Sequence, residues 1–508
     1  MKRYWLLGWL LACVTFSGLG CSEEKEEDPG FRCETSEDCA AHAWDYYCRS
    51  DDHKCQTNCY IGYYPDDTGR CVKVEDDQIF AEEPCKPDGS NCNANHTCLR
   101  GYDYNEVLGK CITRSCGNLG NVEYTLNGDT YESDIICADI LPLRNPVAAG
   151  TGEIIHKLTK VNFPKLKYVL TGITIENDTL TSVQFPVLGK IEHSQYNTSY
   201  NGILIEDSPL LEEVRLPNLT STPLVKIIGS QKTTEFSFPN LKEADEILIK
   251  NTQTLTSLSM PSLEKIDEAY FYSNKSLKAL SFPKLREVAA FIADNNENLE
   301  TVELPELETE TPHQEFSIGP LVSADPNRIQ LSNNPKLKEF VAPKITSVKD
   351  IYINDNELLK KIELPMLKKM TGQFNVSDNP VLDSIELPVL EKLDTFYFLN
   401  YWCSQMSSTK NYPTKVSLKS LKTADNFHFC GGTGISIPNL ELVNENLSFD
   451  MTLLESLDVP KLKSVGGKFE IYYNEHLKEI HMPMLESVGL LKNEKNPLLE
   501  TIEWKLKK

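Results

Sequence analysis

The side chains best equipped to recognise a ligand are aromatic and recur in one slot of a repeated phrase. Tyr352, Tyr397 and His428 are each the middle residue of a short apolar run, as in Ile351-Tyr352-Ile353, and Tyr401 and Trp402 follow in an inserted loop. Such side chains offer a broad contact surface at low ordering cost together with a polar handle, which suits protein or glycan recognition. The slot as a whole reads Thr174, Leu204, Leu248, Tyr270, Ile292, Gln330, Tyr352, Asn375, Tyr397, His428, Ser448 and Glu470. It contains one carboxylate and no Lys or Arg. Glycoside hydrolysis needs two carboxyl groups within about 10 Å of each other, so no such pair is expected on this face. No Gly-rich phosphate loop, nucleophile elbow or His-x-x-x-His helix occurs elsewhere. The lone His428 reads as a sheet residue rather than a base. The expectation is a non-enzymatic chain with no cofactor and no metal.

The cysteines divide by position. Of sixteen, ten lie between Cys33 and Cys111, where the chain is poor in aliphatic residues and needs covalent staples in place of a core. Cys116 and Cys137 immediately precede the repeats, and a disulfide-closed cap is expected there, because a solenoid must cover its first coil. Cys403 and Cys430 belong to adjacent repeats, whose strands stack about 4.8 Å apart, within disulfide reach. A zinc site at Cys55-x3-Cys59 with His53 or His96 is the alternative, disfavoured outside the cell.

Met1-Lys2-Arg3 and the apolar stretch to Gly20 have the form of a signal peptide (1–20). The Gly18-Leu19-Gly20-Cys21 junction resembles a bacterial lipoprotein signal, which implies lipid on Cys21 and attachment to a membrane through it. Gly18 departs from the leucine preferred there, and Leu10-Leu11-Ala12-Cys13 fits the local pattern better but would leave Val14 to Leu19 exposed. An acidic tether (21–32) leads into a cysteine-rich module (33–71), an acidic linker (72–84) and a second module (85–111). The phrases Ser36-Glu37-Asp38-Cys39, Tyr47-Cys48 and Gly69-Arg70-Cys71 resemble EGF-like modules. Residues 22–83 carry 18 acids against 6 Lys+Arg, within a total net charge of −23. That balance argues against nucleic acid, whose phosphates require neutralising Lys and Arg.

The elements that position the aromatic slot are set by a period. Pro164, Pro186, Pro217, Pro239, Pro261, Pro283, Pro305, Pro343, Pro365, Pro388, Pro438, Pro460 and Pro483 mark successive units, mostly 22 or 23 residues apart. The longer intervals of 31, 38 and 50 residues after Pro186, Pro305 and Pro388 read as units with inserted loops; the last also holds a proline-less unit at Leu418-Lys419-Ser420-Leu421. Each unit has two runs that alternate at period two, a strand signal with one buried face, separated by turns such as Asn354-Asp355-Asn356. A fixed period of this length is the signature of a solenoid. The fold class expected is all-β, a right-handed parallel β-helix or leucine-rich-repeat-like solenoid of about 14 coils over 116–508, with 116–160 as its cap.

Units reading Ile-x-Ile…Leu-x-x-Leu-x-Leu-Pro-x-Leu-x-x-Val after a cysteine-closed start resemble the receptor L domain and its relatives on fungal and bacterial surfaces. The resemblance implies a surface protein that binds an extracellular protein or glycan. The chain departs from the receptors in having neither a kinase nor a spanning helix. The expected location is the cell surface or outer membrane, lipid-anchored, or otherwise secreted. A carbohydrate-active β-helix enzyme and a purely structural envelope protein are the alternatives. Seven Asn-x-Ser/Thr sequons, at Asn95, Asn177, Asn197, Asn218, Asn274, Asn375 and Asn446, are about what this composition gives by chance.

Overall fold

The structure is a computed structural model that describes residues 157–192, 201–308, 328–399 and 413–506, and only the strands of the chain before them. Cys21, Cys116, Tyr401, Trp402 and Cys403 lie outside the described residues, as do the signal segment and tether. Two compact units divide the chain, Met1–Arg114 and Ser115–Lys508. In the first, Tyr46–Arg49, Cys55–Thr57, Tyr63–Pro65 and Arg70–Lys73 form one small sheet, and Glu83–Pro84, Tyr102–Asn105 and Lys110–Thr113 form another.

The second unit is a parallel β-solenoid. Nineteen strands in chain order make its principal sheet. Four coils break their rung into two strands, as with Ser347–Val348 and Asp350–Asn354, so the sheet has fifteen rungs against the fourteen or so expected. The first rung, Cys137–Leu143, lies within residues 116–160, the part of the solenoid read as its N-terminal cap, and pairs in parallel with Tyr168–Glu176. Short strands from the Leu-x-Leu-Pro runs stack opposite it in four smaller sheets. The N-terminal edge of the first of these is closed by an antiparallel hairpin, Thr125–Asn127 with Thr130–Glu132. Among the described residues all regular structure is strand, as period two requires.

Alternation decides what is buried. Inward letters stack coil upon coil: Phe374, Phe396 and Phe427 are consecutive in one column, with ring centroids 5.7 and 4.6 Å apart and nearly parallel rings. Prolines follow the short strands, where no ladder donor is lost. After most of the long strands the chain turns through a left-handed residue, among them Asn251, Asn295, Asn333, Asp355 and Asp378 with φ of 54–57°. Asn and Asp tolerate this region best among residues with a side chain. The residue that follows is buried and polar, and it builds a continuous ladder through Thr252, Asn274, Asn296, Asn334, Asn356 and Asn379. The sequence suggests local turn bonds at these asparagines; in the structure their amides also bond the next coil, which stacking at a constant period makes possible. Two of the sequons, Asn177 and Asn274, are buried this way, so neither offers an accessible amide.

Candidate functional site

The outward face of the principal sheet carries the chemistry. Strand register aligns Thr174, Leu204, Lys226, Leu248, Tyr270, Ile292, Gln330, Tyr352, Asn375, Tyr397, His428, Ser448, Glu470 and Lys492 in one column. Two lysines, Lys226 and Lys492, therefore stand where the sequence reading placed no cation. Both lie in units whose strands depart from the Ile-x-Ile form: Val225-Lys226-Ile227 and Leu491-Lys492-Asn493.

Tyr352, Tyr397 and His428 do share this face, half-buried, with Asn375 between the first two. The Tyr397 and His428 rings stack with centroids 4.9 Å apart. His428 Nδ1 lies 3.1 Å from Ser448 Oγ. Burial holds the imidazole below its usual pKa, against a weaker upward pull from Glu470. Beside Ser448, Asp450 has its pKa pushed up to about 6, chiefly by burial. Ser448 and the Tyr472 backbone favour its charged form, and Glu470 opposes it. Lys492 closes the patch, 3.8 Å from Glu470 and with its Nζ 4.4 Å from the Tyr472 ring centroid.

The order of these groups excludes a hydrolytic triad. Serine lies between His428 and Asp450, whereas nucleophilic catalysis places the imidazole between the acid and the hydroxyl. What remains is a row of aromatic, amide, hydroxyl and charged groups on a rigid sheet. Cys430, at the edge of this patch, is disulfide-bonded and buried. Its expected partner Cys403, with Tyr401 and Trp402, is outside the described residues, and Cys137 is described only as the start of its strand.

A second group lies in a neighbouring outward column. Glu246 and Glu268 are register partners on adjacent coils, a pair of carboxylates two residues before the middle slot and so outside its series. Burial, reinforced by Glu268, pushes the Glu246 pKa up to about 7, with Lys226 opposing. Tyr270 donates its hydroxyl to Glu268 Oε2 at 2.9 Å. Burial foremost, then Glu268, holds the Tyr270 phenol well above its usual pKa. Lys226 pairs with Glu206 at 2.9 Å. Leu248, Tyr270 and Ile292 are only 8, 4 and 1% exposed and form an apolar cluster separate from the main core. Aromatic residues in the slot are thus not all free surface. The signal for the carboxylate pair was in the sequence, at Glu246 and Glu268 two residues before Leu248 and Tyr270.

Asp450 gives a pH-dependent expectation. Its folded pKa is raised, so ionising it in the folded state costs stability; the cost is absent below about pH 4 and complete above about pH 6. The shift from 3.8 to about 6 corresponds to at most about 3 kcal/mol, less because the carboxylate is not fully dry. Asp450→Asn is expected to stabilise the protein at pH 7.5 relative to its effect at pH 3.5, measured as urea midpoints. An equal effect at both pH values would contradict this assignment.

Among the described residues no group of three His, Cys, Asp or Glu is placed to hold a metal, and no helix is long and apolar enough to cross a membrane. No family model matches the chain. The cell wall mannoprotein PST1 of Saccharomyces cerevisiae, in strains YJM789 and ATCC 204508/S288c, is 30% identical over 150 residues, 30% of this chain. The match spans 31% of that protein's length. A leucine-rich repeat protein from Bacteroides ovatus covers 75% of this chain and 88% of its own at 12% identity, with a TM-score of 0.19. A leucine-rich cell surface protein from Faecalibacterium prausnitzii gives 75%, 92%, 13% and 0.19 in the same order. This chain is a parallel β-solenoid repeat protein. Its own strands and their parallel register show this fold.

Proposed function

We propose that the chain is a non-enzymatic cell-surface protein whose solenoid displays a recognition face for an extracellular protein or glycan, held to a membrane by lipid on Cys21. The observation that carries the reading is the outward row from Tyr352 to Lys492. It joins a stacked Tyr397–His428 pair to amide, hydroxyl and oppositely charged groups on one sheet. Groups on adjacent rungs are spaced about 4.8 Å apart, a repeat that suits an extended ligand laid along the solenoid. The resemblance to receptor L domains, the cysteine-rich N-terminal modules resembling EGF-like ones, and the yeast relative's description as a cell wall mannoprotein support a surface location. Mass spectrometry of the mature N-terminus tests the anchor: a lipid-modified Cys21 is expected, and an unmodified one ends the lipoprotein reading.

A second reading, a carbohydrate-active enzyme, is favoured by one observation, the Glu246–Glu268 pair with its raised and hydrogen-bonded members. Neighbouring strands place such residues near the spacing of about 5 Å used by retaining glycosidases, with the raised carboxyl as acid. Incubation of the whole protein with polysaccharide panels separates the two readings. Recognition predicts binding without reducing-end release. Release that Glu246→Gln and Glu268→Gln each abolish establishes the enzyme instead.

A further inference from the structure

Ser448 stands between two titratable groups. Its hydroxyl lies 3.1 Å from His428 Nδ1, and it also hydrogen-bonds the Asp450 carboxyl. The serine is 3% exposed, so little water competes for these bonds. Asp450 Oδ1 is buried without a partner, which leaves the carboxyl dependent on Ser448 and on the Tyr472 backbone. The other charges facing this chain of groups are Glu470 and Lys492, 3.8 Å apart on the two rungs beyond Ser448. Tyr397 stacks on His428 from the preceding rung, and Tyr472 and the disulfide-bonded Cys430 are the register partners of Asp450. His428 Nε2, the ring nitrogen farther from the backbone, has no hydrogen-bond partner among the described residues.

We propose that Asp450 acts through Ser448 as a positioning residue that fixes the tautomer of His428 and makes its Nε2 a hydrogen-bond acceptor on the outward face. The protons of the three groups can be arranged in only one way. An ionised carboxylate accepts and cannot donate, so the single proton of the Ser448 hydroxyl must point to Asp450. The hydroxyl oxygen then has only lone pairs to offer His428, and Nδ1 must be the nitrogen that carries the proton. A neutral imidazole has one N–H, which leaves Nε2 bare. Both conditions hold at pH 7.5. Asp450, with its pKa at about 6, is ionised there, and burial keeps the imidazole below its usual pKa and therefore neutral. The consequence for binding rests on the reading of this face as a recognition surface: the ligand group that meets His428 must bring an O–H or N–H donor. A carbonyl or carboxylate oxygen at the same point would face a lone pair.

Nitrogen NMR of the isotope-labelled histidines in the whole, ligand-free protein at pH 7.5 tests the proposal, because a bare imidazole nitrogen resonates well downfield of one that carries a proton. The signals lost in His428→Gln identify this residue among the nine histidines. Wild-type His428 is expected as the Nδ1–H form with Nε2 bare. Asp450→Ala frees the Ser448 proton to point at Nδ1, so the imidazole proton is expected to move to Nε2. Ser448→Ala, which removes the link, is expected to lose the Nδ1–H preference as well. Glu470→Gln, which changes a nearby charge outside the chain of bonds, is expected to leave the tautomer as it is. Circular dichroism melting of each variant verifies that the solenoid is folded. Wild-type His428 protonated at Nε2 overturns the proposal whatever the variants show. An Nδ1–H form that survives in folded Asp450→Ala, or one lost equally in Glu470→Gln, overturns it too. No ligand is present, so this outcome is separate from the titrations that test recognition itself.

Discussion

Asn356→Ala is expected to cost about 2–5 kcal/mol, although the residue touches no candidate ligand. Asn356 is fully buried in the ladder. Its Nδ2 donates to the carbonyl of Leu331 at 2.9 Å and to that of Asn354 at 3.0 Å. Its side-chain amide also donates to Asn379 Oδ1, and its Oδ1 accepts the backbone N–H of Asn334. Alanine fills none of these roles. The Asn354 carbonyl keeps the Asn333 N–H, but the Leu331 carbonyl and the Asn334 N–H lose these bonds in a dry interior, at about 1–3 kcal/mol each. Repeat arrays open locally, so hydrogen exchange is the measurement: amides of the coils on either side of Asn356 lose protection first. Asn298 is the control. It donates to Lys275 from an exposed position, so Asn298→Ala is expected to cost less than about 1 kcal/mol. Equal effects at the two sites would mean that burial of the ladder is not what matters.

Phe427→Ala is expected to cost about 3–5 kcal/mol and to loosen the candidate recognition face from below. Phe427 is fully buried and stacks on Phe396 at 4.6 Å. It immediately precedes His428 in the strand, and its partner Phe396 immediately precedes Tyr397, so the inner stack sets the spacing of the outer one. Removing the ring leaves a cavity on the axis of the column. Phe427→Leu keeps most of the volume and is expected to cost much less. Tyr397→Ala, on the outer side of the same rungs, is expected to change stability by about 1 kcal/mol or less and to act on binding instead. Thermal melts of the three variants compare them directly. A melt for Tyr397→Ala as low as that for Phe427→Ala would make the outward tyrosine a structural residue.

These two substitutions mark what could be read from the sequence. Phe427 was legible as an inward letter because period two assigns every second residue to the core. Asn356 was legible as a turn residue, but its bonds reach a coil 22 or more residues away, and only a constant stacking distance reveals them. Tyr352, Tyr397 and His428 fall in one outward column by the same alternation that turns Phe427 inward. Lys226 and Lys492 were missed because their strands depart from the phrase used to find the slot. Glu246 and Glu268 stand outside the middle column, because the long strands project more than one outward column. Leu248, Tyr270 and Ile292 belong to an outward position by pattern, yet they are buried, and alternation carries no information about what covers a face.

The most direct test of the recognition face is a binding measurement on folded variants that alter only its outer groups. Whole protein is screened against glycan arrays and extracellular protein libraries, and the ligand found is titrated against Tyr397→Ala, His428→Ala and the double variant. Half-buried Asn439, which follows a short-strand proline away from the principal sheet and donates its amide to the Lys419 carbonyl, serves as the control when changed to Ala. A face built around the Tyr397–His428 stack predicts a loss of at least 10-fold for the double variant, with an unchanged melt and an unaffected control. Wild-type affinity in the double variant would contradict the account and move the search for the binding site off these coils.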